Sequence, residues 1–413
     1  MEQIRHILAG WLLDGSGSPV RRGILLKLSK GIVVSLEEAG PDHFKSEEVE
    51  DLSCCTLLPG LVDAHVHLAM SGTEDAGARE AQRNASFEDS EGLIGTHLQA
   101  HNRHGVVALR DGGDGGGHAL LYKERFLSGT ASPVAVKVAG QGWHAAGRYG
   151  SLIGKSPGTG ESLAEAVARA GGDHVKIVNS GLNSLSRFGA ETAPQFSLDE
   201  LREAVGRAHA LGRKVMVHAN GRVPVRLAVE ADCDSVEHGF FMGRENLERM
   251  AERETVWVPT AYPMAAYGEK LPKGGREAEI AKRNLDHQLD QMGMARSLGV
   301  IVALGTDSGS LGVNHGRAFR EELRLLMSAG FSLEEAVKSA SAVSAALLGV
   351  EDHAGILAPG RPATFVAVKG GPEKVVETLM SPKLVVVRGA VGSGDKDFLS
   401  QRRRGSKEEF RQD

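Results

Sequence analysis

Short apolar runs recur along the middle of the chain, each closed by Gly, Asn or Ser. They include Thr56-Leu57-Leu58, Val175 to Val178, Lys214 to Val217, Ser235-Val236-Glu237 and Val300 to Leu304. Short β-rich runs bounded by turn formers read as strands. Between them lie stretches with helical spacing, such as Leu198 to Leu211 and Leu247 to Arg253. Strands alternating with helices predict βα units and a parallel sheet. Residues 1–57 and 354–391 have a different texture: strands and turns without amphipathic helices, as in GILLKLSKGIVVSLE and KLVVVRGAV.

Polar residues sit at the ends of these runs. Residues 59–67 read PGLVDAHVH, with Pro59-Gly60 as the turn into a new strand. His65 and His67 are two apart, so a strand points both to one face. Two imidazoles there make half of a metal site. Asp63 shares that face and is placed to orient a ligand. Lys176 lies inside its run, His218 follows Val217, His238 follows Glu237, and Asp307 follows the run 300–304. Each has an ordinary alternative: Lys176 reaching to a rim, Asp307 capping a helix, a histidine satisfied in a core. Convergence of all of them at the C-terminal ends of strands is how a (β/α)₈ TIM-like barrel builds an active site. That fold is expected for residues 58–353.

Composition narrows the class. At 413 residues the chain exceeds one barrel of about 250 residues. A net charge of −5, without a basic stripe or stacking aromatics, argues against nucleic acid as a partner. No run approaches the roughly 18 apolar residues of a membrane span, and the N-terminus lacks a basic leader with a cleavage site. Cys54, Cys55 and Cys233 do not suggest a disulfide framework, so a cytoplasmic location is expected. Cys233, in an apolar run, reads as core. The segment DGGDGGG (111–117) lacks the Lys-Ser/Thr of a phosphate loop and reads as a strand-to-helix loop at the site's mouth. Residues 261–284, rich in Gly and Pro, read as part of a lid, with Tyr262 and Tyr267 open as lining or packing residues. His315, in SLGVNHG, is open between facing the pocket and a structural role. Residues 392–413 form a charged tail.

The segments VALRDGG (107–113), VKIVNSG (175–181), FSLDELREAVGRAHALGRKVMVHANG (196–221), SVEHG (235–239), GTDSG (305–309) and 321–349 carry a resemblance. From Trp11 to about Val368 the chain resembles the amidohydrolase superfamily. It is most similar to the imidazolonepropionase-related branch with its Xaa-Pro and Xaa-Arg dipeptidases. The resemblance implies a binuclear hydrolase of amide or peptide C–N bonds in a small substrate: a dipeptide, N-acyl amino acid or cyclic amide. Two divalent ions, zinc by default, would share a hydroxide. A CO₂-derived carbamate on Lys176 would bridge them, with His65, His67 and Asp307 on one ion and His218 and His238 on the other. Asp307 would also carry the proton from water to the leaving amine. His144, in the loop KVAGQGWHAAGRYG, would touch the substrate carbonyl, and Arg148 and Tyr149 nearby are candidates to meet a carboxylate. The chain ends would join as a small β-sandwich.

Two departures matter. The branch's dipeptidases carry an aromatic two residues past the third metal histidine; here it is Asn220, which puts recognition of a substrate carboxylate in question. Thr364 replaces an aspartate usual in the family's terminal motif. A mononuclear deaminase and a non-catalytic scaffold are the rival readings. Deaminases of the superfamily carry a Glu where Gly221 stands, and a scaffold would have lost ligands. A small-molecule substrate is the expected partner; homo-oligomerisation stays open.

Overall fold

The structure is a computed structural model that describes residues 4–45, 49–129 and 132–394. Strands β1 (Arg5–Leu12), β2 (Arg21–Ser29), β3 (Ile32–Glu38) and β4 (Val49–Pro59) open the chain. Pro59-Gly60 then turn it into β5 (Leu61–Val66), which pairs in parallel with β6 (Val106–Asp111), itself parallel to β7 (Ala135–Val138). A second parallel sheet holds β8 (Gly142–Trp143), β9 (Gly154–Lys155), β10 (His174–Val178), β11 (Lys214–Ala219), β12 (Ser235–His238) and β13 (Val256–Val258) in the order β13-β12-β11-β10-β8-β9. Strands buried on both faces need the near-continuous apolar runs read from the sequence; β6 and β10 are buried at every position.

Helices follow most of these strands. Their starts are written locally: Ser162/Glu165, Ser197/Glu200 and Ser332/Glu335 each form a reciprocal capping box. The helix predicted at 198–211 spans Leu198–Ala210 and buries Leu201, Ala204, Val205 and Ala208 at helical spacing. One apolar core runs from Val62 and Val107 through Ile177 and Val217 to Phe319 and Leu326.

Residues 300–304, expected as a strand, make no regular one. Residues 301–308 instead bond on both sides. Trp257 N–H donates to Ile301 O and Ala303 N–H to Trp257 O, while Ala64 N–H donates to Leu304 O and Asp307 N–H to His65 O. The segment therefore lies between β13 and β5. On the other side, Asp173 N–H donates to Val138 O, tying β10 to β7.

The chain ends meet. β14 (Phe365–Lys369) pairs with β4, and β15 (Leu384–Val387) and β16 (Ala390–Gly394) extend the same sheet. Where a sandwich was expected, hydrogen bonding joins seven strands in one sheet, in the order β16-β15-β14-β4-β1-β2-β3. Its own core draws on both ends, with Ile7, Leu26, Leu57, Phe365 and Val386 fully buried together. Residues 392–394, counted above with the tail, belong to β16; the rest of the charged tail, from Asp395, lies outside the described residues. The lid segment 261–284 is largely helical, in Tyr262–Lys270 and the start of Arg276–Leu298, and only Pro272 to Gly275 forms a turn. Among the described residues no helix is long and apolar enough to cross a membrane.

Gly305 is where β13, β5 and the segment between them press together. A Cβ there would stand 2.4 Å from Val258 Cγ1 and 2.8 Å from His65 Cβ. Gly305→Ala is expected to cost about 1–3 kcal/mol, the range for overpacking. Urea denaturation monitored by tryptophan fluorescence reads it. An unchanged midpoint would mean that these strands part freely.

Candidate metal centre

The candidate donors converge at the C-terminal ends of the parallel strands. Donor atoms of His65, His67 and Asp307 lie within 4.8 Å of one another. The His65 ring is centred 5.3 Å from that of His67 and 5.2 Å from that of His238, which is 4.5 Å from that of His218. Asp307 Oδ1 is 3.3 Å from His67 Nε2 and 3.5 Å from His65 Nε2. Lys176, in the middle of β10, lines the same cavity as His67, His218, His238 and Asp307.

The outward nitrogen of each imidazole is set by what holds the other. His65 Nδ1 is 2.7 Å from Glu237 Oε2, and His67 Nδ1 is 2.8 Å from the Gly113 carbonyl. His218 Nε2 is 3.2 Å from Gly181 O. Carboxylates and carbonyls only accept, so these nitrogens carry the proton. Thr260 Oγ1 donates to Pro259 O and therefore accepts from His238 Nδ1, 2.6 Å away. That leaves Nε2 of His65, His67 and His238 and Nδ1 of His218 facing the site, with His67 Nε2 against the Asp307 carboxylate. His65 Nε2 and Lys176 Nζ are buried without a hydrogen-bond partner. Unpaired buried polar atoms are costly, and a site built to ligate cations accounts for both. Gly112 keeps the space open: a Cβ there would stand 3.2 Å from His67 Nε2 and 3.3 Å from His65 Nε2.

Burial sets the protonation states. It lowers His65 to a pKa of about 4 and His218 to about 3, with the Lys176 charge acting the same way, and holds His238 well below its ordinary value. Burial would lower His67 too, but its contact with Asp307 outweighs that and leaves it raised. Lys176 falls to about 8 through burial, opposed by the charges of Glu237 and Asp307. Burial alone would raise Asp307, but His67 and the surrounding imidazoles hold it well below the carboxylate range. The backbone is bent at the same place. His238, Thr260 and Asp307 have φ of 66°, 44° and 54°, the left-handed region that non-glycine residues rarely occupy and that clusters at functional sites.

Behind the donors runs a buried ionic relay that the sequence reading passed over. Arg110 donates from Nη2 to Glu237 Oε1 at 2.8 Å, from Nη1 to Ser235 Oγ at 3.0 Å and from Nε to Ala64 O at 2.7 Å. The other carboxylate oxygen of Glu237 holds His65. A signal was present: Arg110 and Glu237 each sit inside a buried strand, and a buried charge needs a partner. Asp63, expected to orient an imidazole, instead accepts from His65 N–H, Thr306 N–H and Thr306 Oγ1. It fixes the backbone of the HxH strand rather than a ring.

The cavity above holds about 400 Å³, in the range of small-molecule sites. Tyr149, Asn220 and Tyr267 line it. Tyr149 stacks obliquely 5.4 Å from His218, and burial together with the Asp307 charge keeps its phenol protonated. Asn220 Oδ1 accepts from Phe240 N–H. Tyr262 does not line the cavity; it packs on Ala266, Val313 and Ala318 at the foot of the lid helix, where Glu322 accepts from Ala261 and Tyr262 N–H. His144 does not line it either: its ring is buried with Nδ1 2.9 Å from Ala145 O, against Gly150. Arg148 is exposed and donates to Ala193 O. His315 faces away, with Nε2 on Met70 O, Nδ1 on His101 and its ring stacked 3.9 Å from His97. A cavity residue the sequence reading missed is Arg79, in the helix Ala76–Arg83.

Residues 56–392 match the amidohydrolase family. The chain is 27% identical to ochratoxinase from Aspergillus niger, over 93% of this chain and 85% of that protein. It is 27% identical to an imidazolonepropionase from Alkaliphilus oremlandii, over 48% of this chain and 46% of that protein. Among solved structures, a Xaa-Pro dipeptidase with bound methionine in its active site superposes with a TM-score of 0.79 at 26% identity, covering 95% of this chain and all of that one. The fold is thus α/β of the TIM-barrel type. With a match over most of its length, the chain belongs to the amidohydrolase family and is a hydrolase acting on C–N bonds.

Proposed function

We propose that the chain hydrolyses an amide or peptide bond of a small molecule at a two-metal centre. In this reading the two parallel sheets and residues 300–308 close into a (β/α)₈ barrel, and the chain ends form its companion domain. His65, His67 and Asp307 would hold one ion and His218 and His238 the other, with Lys176 between them as a carbamate. When bound, the ions would supply Lewis acidity and lower the pKa of the attacking water. Zinc suits the donor set.

The observation that carries this reading is the set of imidazole and carboxylate donors aimed at one place around the partnerless Lys176 amine. Carbamate formation needs a neutral amine. At a pKa of about 8 roughly one lysine in ten is neutral at pH 7, far more than at the ordinary value. Once carboxylated, the side chain is an anion, which answers the charge of two cations where an ammonium would repel them. Asp307 supplies the mobile proton site: its Oδ1 lies between His65 and His67, and its Oδ2 accepts from Ser310 Oγ at 2.8 Å. Tyr149, a protonated phenol on the cavity wall, takes the place expected for His144 as a donor to the carbonyl oxygen.

Lys176→Ala is expected to lose metal and abolish turnover, and short-chain carboxylic acids are expected to restore part of both. Elemental analysis of the purified protein, with and without added propionate, reads this directly. Two full equivalents of metal in the variant would exclude a bridging role.

Asp307→Asn keeps a ligating oxygen but removes the base. It should retain most of its metal and lose on the order of 10²–10⁴ in kcat, the usual contribution of general acid–base catalysis. Near wild-type turnover on an amide substrate would place the proton site elsewhere.

Glu237→Gln leaves Arg110 buried without its anion, a change that costs about 3–5 kcal/mol when a buried pair is broken. Burial would raise the Glu237 carboxyl, but Arg110 and His65 hold it well below the usual range. Its stabilising effect is therefore present above the unfolded carboxylate pKa and is lost as the pH falls. The gap in stability between wild type and variant should hold through neutral pH and narrow only as the pH falls below the unfolded carboxylate pKa. A constant gap down to strongly acidic pH would show that the carboxylate charge is not what matters.

A further inference from the structure

Arg79 is a cation on the cavity wall with no acid of its own. Its Nη1 donates to the carbonyls of Thr73 and Gly309, each at 3.3 Å. Among the described residues no carboxylate pairs with it. The nearby acids are engaged elsewhere. Glu74 binds Lys270 at 2.7 Å, Glu80 binds Arg83 at 3.0 Å, and Asp75 caps its helix at Ala78 N–H. Asp114, also on the cavity wall, accepts from His118 and Ala119 N–H. The guanidinium is half-buried, and its Nε and Nη2 make no hydrogen bond with the protein.

Two carbonyls fix the direction of this group. Gly309 is two residues beyond Asp307, so the guanidinium is moored to the loop that carries the reactive carboxylate. Much of the wall is apolar, including Met70, Leu152, Leu182, Phe240, Met264 and Leu311, and the polar residues Asn183, Asn220 and Ser310 on it carry no positive charge. Asn220 is neutral and partly committed, with Oδ1 accepting from Phe240 N–H and one amide hydrogen directed at Gly181 O, so it offers an anion at most one uncharged donor.

We propose that Arg79 captures a carboxylate of the substrate, and that the substrate is an amide with one carboxylate and an apolar body, such as an N-acylated apolar amino acid or an apolar dipeptide. The inference rests on the hydrolase reading for its substrate class. A planar guanidinium presents parallel donors that match a carboxylate bidentately, and the surrounding apolar wall strengthens that contact. A neutral amide would leave the arginine desolvated without an anion.

The test separates binding from turnover. N-benzoyl-L-phenylalanine and its primary carboxamide are titrated into the purified enzyme by calorimetry, and product release is followed separately by chromatography. The wild type should bind the carboxylate more tightly than the carboxamide by about 10- to 100-fold, the size of a charged hydrogen-bonded contact. Arg79→Met should lose that preference and Arg79→Lys should keep part of it, with thermal unfolding of both close to wild type. A preference that survives in Arg79→Met, as it would if the carboxylate sat on the metal centre, overturns the assignment. So does equal binding, or no binding, of the two ligands by the wild type. Preferential binding without hydrolysis would leave Arg79 as the anchor and count against the hydrolase reading instead.

Discussion

The Glu237 carboxylate is the constraint around which the site is arranged. It is fully buried, and one oxygen takes Arg110 while the other takes His65. Taking such charges out of water costs several kcal/mol each, so an arrangement of this kind persists only where every lone pair and proton is used. Arg110 contributes three of its five N–H donors, to β12 twice and to the β5 backbone once. One ion pair thereby fixes three strands relative to one another and sets the tautomer of His65. The remaining imidazoles are held by backbone carbonyls and by Thr260, so ring orientation follows from strand register rather than from mobile side chains.

Burial then decides the chemistry of each donor. The same desolvation that holds His65, His218 and His238 neutral brings Lys176 down from the ordinary lysine range. Neutral imidazole and neutral amine are the forms that donate a lone pair. The one anion among the candidate donors, Asp307, keeps its charge against burial chiefly through its contact with His67. The cost of such a floor is a bent backbone at His238, Thr260 and Asp307, which the hydrogen bonds on either side hold in place.

What was legible in the sequence follows a physical division. Strands buried on both faces carry uninterrupted apolar runs, so β5, β10, β11 and β12 and the polar residues at their ends could be read from local pattern alone. Residues 300–308 were harder, because their bonding is divided between two neighbours and interrupted at Gly305. The segment 261–284 is largely helical despite its Gly and Pro residues: Pro263 stands in the first helical turn, Gly268 lies inside that helix, and Pro272, Gly274 and Gly275 make the one turn. His144 was placed by the resemblance, and Arg148 and His315 by proximity in sequence to it and to Asp307. Their side chains are directed elsewhere: Ala145 and Gly150 hold the first, Ala193 takes the second, and His97 and His101 from the helix Phe87–Arg103 take the third. Arg79 went unnoticed for the converse reason. Nothing in its helix marks it; only the approach of the Gly309 loop turns it into a wall residue.

The floor and the walls of the cavity therefore answer to different forces. Floor residues are fixed by the parallel strands and by buried partners, and a change in any of them unpairs a charge or a polar atom in a low-dielectric setting. Wall residues come from helices and loops, where Leu182 is largely exposed and Tyr267 sits on a lid helix. Replacing one apolar wall residue by another leaves no polar atom stranded. At about a quarter identity to ochratoxinase and to a Xaa-Pro dipeptidase, a chain can keep a common floor while the walls diverge. Reaction type is then carried by the donors on the strand ends. Substrate choice is carried by the few polar groups that loops bring to an otherwise apolar wall, because an unpaired polar group discriminates between ligands far more sharply than a change of apolar shape.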